Sequence, residues 1–76
     1  MTDKQIAELL KLLSKHFIIS ICSTYDHYII TTRLLPTDRF INVHNATFEG
    51  AVEDFCKEVL EHVGGKLKRK MEGMLG

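Results

Sequence analysis

Apolar residues change their spacing from one stretch of this chain to the next, and each change marks an element. Ile6, Leu9, Leu10, Leu13 and Phe17 recur at helical spacing, Leu12 widens the stripe, and Lys4, Glu8, Lys11 and Lys15 fill the other side. Thr2-Asp3-Lys4-Gln5 ahead of them has the spacing of a capping box, so a helix over residues 3–15 is predicted. From Phe17 the composition turns β-branched and aromatic. Phe17–Cys22 and Tyr28–Leu34 read as strands joined by the polar connection Ser23–His27. Leu35–Arg39 reads as a second turn, with Pro36 setting φ, and Phe40–His44 as a third strand. Alternation there predicts Ile41 and Val43 facing the core, with Phe40, Asn42 and His44 facing outward or toward a neighbour.

Helical spacing returns at Phe48 and runs through Ala51, Val52, Phe55, Cys56, Val59, Leu60 and Val63. Asn45 or Thr47 can cap this helix, and Glu49 in its first turn complements the helix dipole. Gly64-Gly65 predicts a stop of the left-handed type. Beyond it, Leu67, Met71, Met74 and Leu75 share one side of a short segment. The sequence leaves three readings of that segment open: a helix, a frayed extension of the one before, or disorder. The expected fold is therefore α+β, a three-stranded antiparallel meander with two helices on one face in the order α-β-β-β-α, and a possible short C-terminal helix. Residues 1–65 are expected to form one domain, and residues 66–76 a basic tail or short helix; if one segment is dispensable for folding yet needed for function, it is expected to be that tail.

Composition narrows the function classes. The 76 residues are 45% apolar and 26% charged, ordinary for a small globular domain with a thin core. No stretch approaches the roughly 18 apolar residues needed to cross a bilayer, so no membrane partner is expected. Two cysteines, Cys22 and Cys56, with no other staple read as reduced thiols of a cytoplasmic protein. Ten cations balance ten carboxylates overall but not locally. Residues 36–65 are net negative, and Lys66, Lys68, Arg69 and Lys70 face only Glu72 in the segment that follows. This reversal across Gly64-Gly65 suggests two faces of opposite sign, which is a binding feature rather than a catalytic one.

Catalytic and metal chemistry find little support. His16, Cys22, His27, His44, Cys56 and His62 form no Cys-x-x-Cys, His-x-x-x-His or His-Glu-x-x-His pair, so no metal and no cofactor is expected. Cys56 sits on the core stripe of an acidic helix, which should raise its pKa, and Cys22 could approach His27 across the hairpin with nothing to orient the pair. Carboxylate pairs such as Glu53/Asp54 and Glu58/Glu61 are expected on a solvated helix face, where they make poor general acids. The chain is not expected to be an enzyme.

Binding is the remaining class. The element order resembles the double-stranded-RNA-binding domain, but that family opens its last helix with lysines, and here the same helix opens Thr47-Phe48-Glu49-Gly50 and continues with Glu53 and Asp54. Size and element order also resemble small phage and mobile-element accessory proteins of the anti-CRISPR type, which act by covering a surface of a larger machine. That resemblance implies a protein partner and an inhibitory role, with Glu49, Glu53, Asp54, Glu58 and Glu61 as counterpart of a DNA-mimicking face. An alternative is salt-sensitive nucleic-acid binding through Lys66, Lys68, Arg69 and Lys70. Neither outer strand contains an internal proline or lysine, so a homodimer through a sheet edge is expected as well, or through Tyr25, Tyr28 and Phe40 if exposed.

Overall fold

The computed structural model describes residues 2–34 and 39–75, so the turn expected around Pro36 lies outside the described residues. Helix α1 spans Asp3–Ser14 and is closed by the expected capping box. The Thr2 hydroxyl accepts from the Gln5 amide at 3.2 Å, and Gln5 Oε1 accepts from the Thr2 amide at 2.8 Å. Strands β1 (Ile19–Ser23), β2 (Tyr28–Leu34) and β3 (Arg39–Asn45) form one antiparallel sheet in the order β1-β2-β3. The first strand thus starts two residues later than the change in composition. Phe17 and Ile18 form a bridge in which the buried Thr32 hydroxyl donates to the Ile18 carbonyl at 2.7 Å.

Helix α2 spans Phe48–His62 and α3 spans Gly65–Leu75. Both residues proposed as caps of α2 contribute. Thr47 Oγ1 accepts from the Gly50 amide at 3.0 Å, and Asn45 Oδ1 accepts from the Thr47 amide at 3.0 Å. Gly50 makes this possible, because a Cβ there would come within 2.5 Å of the Asn45 side chain. At the other end α2 stops on extended backbone at Val63, and the left-handed residue is Gly65, φ 66°, which opens α3. The glycine pair is therefore a reversal between two helices rather than the edge of a tail.

Register fixes the two sides of the sheet. Ile21, Ile30 and Val43 align across the strands on one side, as do Ile19, Thr32 and Ile41. On this side Ile30, Thr32, Ile41 and Val43 are buried beneath α2, whose Ala51, Val52, Phe55, Cys56 and Val59 are fully covered. The Tyr28 ring meets Phe48 at 5.7 Å, with the planes inclined by 58°, and joins the start of α2 to β2. From α1, Ile6, Leu9 and Leu13 join the same cluster. Met71 of α3 completes it with no exposed surface, α3 touching both α1 and α2. Through Met71 the segment after Gly64-Gly65 adds a fully buried side chain to the core.

Candidate functional site

The five carboxylates read as an acidic face do not form one uniform patch. Glu49, Glu53, Glu58 and Glu61 are exposed, while Asp54 is half-buried and accepts from Asn45 Nδ2 at 3.0 Å. Lys57 stands four residues from both Glu53 and Glu61 on the same strip of helix and interrupts their charge. Glu53 and Lys57 also line a cavity of about 310 Å³ with Gln5, Met74 and Leu75, so this flank abuts α3. The cations Lys66, Lys68, Arg69 and Lys70 are all exposed on α3, which holds them on an ordered helix.

Thiol chemistry finds no partner geometry. Cys22 is exposed, and its Sγ lies 3.9 Å from its neighbour's carbonyl, Ser23 O. The His27 ring turns instead to Asp26 Oδ1 at 2.6 Å and Thr24 Oγ1 at 2.9 Å. An orienting carboxylate is therefore present, which the sequence reading lacked. Both partners meet the same nitrogen, Nδ1, so they share one ring position and cannot relay a proton across the imidazole. The His27 hydrogen bond, with its charge attraction second, holds the Asp26 carboxyl below its usual value. Cys56 is fully buried, and desolvation followed by the Glu53 charge pushes its thiol from 9.0 up to about 11. A thiol held protonated in this way is a packing group.

One grouping escaped the search for histidine and cysteine pairs. Ligand atoms of Glu58, Glu61 and His62 come within 4.8 Å of one another, and the usable signal was a Glu four residues before a His. All three side chains are exposed at the end of α2, with water as competitor for any ion.

Two further surfaces matter more. The first is the outer edge of β1. Strand β2 occupies one side of β1, and the other side is the margin of the sheet. On the helix-covered side of that margin, Ile21 remains 47% exposed, and Leu10 and Ile19 are half-buried. With Lys11 and Ser14 they line a cavity of about 310 Å³ between α1 and β1.

The second is the side of the sheet turned away from α2. Three rows cross it: Cys22, Ile29 and His44; Ser20, Thr31 and Asn42; and Arg33 beside Phe40. Phe40 is 67% exposed, and the Arg33 guanidinium lies 5.9 Å from its ring centre. His27 stacks on His44 at 5.4 Å, and Ile18 is 85% exposed at the same end as Phe40. Of the three aromatics named as possible contacts, Phe40 and Tyr25 are exposed, and Tyr28 is spent on Phe48.

In comparisons with protein-family models, curated proteins and solved structures, nothing matches this chain. No helix among the described residues is long and apolar enough to cross a membrane.

Proposed function

We propose that this protein is a non-catalytic interaction module that engages protein through the β1 edge. The resemblance to small phage and mobile-element inhibitors implies a protein partner, and the open sheet edge is a separate route to one. The observation that carries the reading is the coincidence, at β1, of a sheet margin with an incompletely covered apolar groove at Leu10, Ile19 and Ile21. The opposite margin differs, because α2 lies over β3 and buries Ile41 and Val43. Natural sheets blunt exposed edges with charge, proline or bulges, and Ile19-Ser20-Ile21-Cys22-Ser23 carries none of these.

The first occupant is a second copy of the chain. Antiparallel pairing of β1 with itself about Ile21 keeps every side chain on its own side of the sheet, since side chains alternate with period two. It sets Ile21 against Ile21 of the second copy and closes both grooves under one six-stranded sheet. The contact is isologous and so terminates at the dimer. A five-residue edge is only about 17 Å long. The interface falls below the common ~800 Å² per partner, so a dimer of roughly micromolar affinity is expected. Sedimentation across concentrations up to about 1 mM tests this. The parent should dimerise and Ile21→Lys should remain a folded monomer by circular dichroism; a parent that stays monomeric throughout removes the reading.

The acidic side chains take a secondary place in this scheme, because Lys57 and the Asn45–Asp54 bond divide them. A second reading, nucleic-acid binding by Lys66, Lys68, Arg69 and Lys70, rests on their being exposed together on one ordered helix.

A further inference from the structure

Two histidines meet on the side of the sheet turned away from α2. His44 lies opposite Ile29 in the β2–β3 register, and His27 stands two positions before Ile29, so they are diagonal neighbours on one side. Their ring centres lie 5.4 Å apart with the planes inclined by 31°. The hairpin turn fixes the His27 backbone, whose carbonyl accepts from the Thr24 amide at 2.8 Å and from the Thr24 hydroxyl at 3.1 Å. The ring is fixed as well. Asp26 Oδ1 lies 2.6 Å from His27 Nδ1, and a carboxylate only accepts, so Nδ1 carries a proton. The same bond holds the Asp26 carboxyl below its usual value, which keeps it ionised as that acceptor. In the neutral imidazole the lone pair is therefore left on Nε2.

A histidine that donates from one nitrogen to a carboxylate and keeps its lone pair on the other has the arrangement found behind metal-bound imidazoles. There the carboxylate sets the tautomer, orients the ring and raises its basicity. The spacing fits a shared ion too. Two imidazoles on one ion, with metal–nitrogen bonds of about 2.0–2.1 Å at a tetrahedral angle, set their ring centres roughly 5 Å apart. His27 is half-buried and His44 exposed, so an ion has access to both. Imidazole selects zinc, nickel and copper over magnesium and calcium, which prefer oxygen ligands. The group at the end of α2 is a poorer match for such an ion: Glu58, Glu61 and His62 supply one imidazole, and all three are exposed on a single helix.

We propose that His27 and His44 bind a divalent transition-metal ion of the zinc or nickel type, with Asp26 as positioning residue for His27 and water completing the shell. The ion joins the β1–β2 turn to the end of β3, next to Asn45, whose side chain accepts from the Thr47 amide where α2 begins. Binding to the folded chain should therefore raise its stability. The proposal goes beyond the β1-edge reading and leaves that edge unused, so Ile21→Lys should bind zinc as the parent does.

Titration of the untagged full chain with zinc, followed by calorimetry and by proton–nitrogen correlation spectra of the imidazole rings, tests it. About 5 mM magnesium in the buffer occupies exposed carboxylates without competing for nitrogen. One zinc ion per chain is expected, with micromolar affinity, the Nε2 resonances of His27 and His44 moving while those of His16 and His62 stay. Before zinc is added, His27 should already show its proton on Nδ1. His27→Gln and His44→Ala should each weaken binding by about tenfold or more, and circular dichroism with a chelator present should show both folded. Asp26→Ala should cost about tenfold and shift the His27 tautomer, and Asp26→Asn, whose side-chain oxygen still accepts, should restore both in part. Zinc should raise the thermal midpoint of the parent and leave that of His44→Ala unchanged. No ring shift at millimolar zinc overturns the proposal, as does unchanged affinity in His27→Gln or His44→Ala. A loss confined to His62→Ala moves the ion to the end of α2, and a loss in Cys22→Ser makes the site a thiolate one. One ion per two chains makes it a contact between copies; each of these results also overturns the proposal.

Discussion

Cys22 and Cys56 show how strongly position decides the chemistry of a side chain. One thiol is exposed on the open side of the sheet; the other is carried by α2 and lies within the core. Burial, with the Glu53 charge as a lesser cause, holds the Cys56 thiol protonated up to about pH 11. An unfolded chain would release that proton near the ordinary value of 9.0. Below that value both states keep the proton and the stabilisation is complete. Between 9 and 11 the unfolded state binds fewer protons, so stability falls as pH rises, by up to about 1.4 kcal/mol per pH unit. Cys56→Ala should therefore be less stable than the parent at pH 7, through the void it leaves, yet lose less on going from pH 9 to 11. Urea midpoints for the two proteins across that range check the sign, and parallel curves would refute it. Alkylation at pH 8 should label Cys22 at once and Cys56 only as the chain unfolds.

Elements differ in how much of them was legible, and the reasons are physical. The stripe from Phe48 to Val63 has no competing period, so α2 could be read with its cap and its flanking carboxylates, and the raised pKa of Cys56 followed from its place on that stripe. The capping box of α1 and the alternation of Ile41 and Val43 were equally local. Helix α3 was harder, because Gly65, four cations and Gly73 crowd a segment with only a few apolar positions. What decides it is tertiary: α3 touches α1 and α2 and buries Met71 in the common core, which no local pattern reports. The same limit applies to the candidate surfaces. Alternation pointed Phe40 outward, but whether a layer covers the second side of a sheet depends on the number of helices and where they pack. The half-covered state of Ile21 likewise depends on how far α1 reaches over β1. Met71→Ala should lower stability by about 2–4 kcal/mol, the range for emptying a buried methionine site, whereas half-buried Leu67→Ala should lose less. Urea unfolding orders the two; a larger effect at Leu67 would mean that α3 docks differently.

At the scale of the whole molecule, charge is sorted into separate surfaces even though the total is zero. Carboxylates line α2, cations line α3, and the strands carry no acid. Two modes of self-association are then distinguishable by their response to salt. Pairing of α2 on one copy with α3 on another joins opposite charges, and screening within about 10 Å at 0.1 M salt would weaken it. Pairing of β1 edges buries Ile21 and Leu10 and uses backbone hydrogen bonds, so salt should change it little. The combined substitution Glu53→Lys/Glu58→Lys/Glu61→Lys separates the two. All three side chains are exposed, so folding should persist, with unfolding midpoints changed only slightly. The formal charge moves from zero to about +6, which abolishes attraction between α2 and α3 and adds long-range repulsion. Under β1 pairing the variant should still dimerise, somewhat more weakly at low salt, and recover the parent's affinity at about 0.5 M salt, where the Debye length is only a few ångströms. Sedimentation of parent and variant at both ionic strengths decides it. A variant that stays monomeric at high salt, or a parent whose dimer dissolves there, would place the contact on the charged helices instead of the sheet edge.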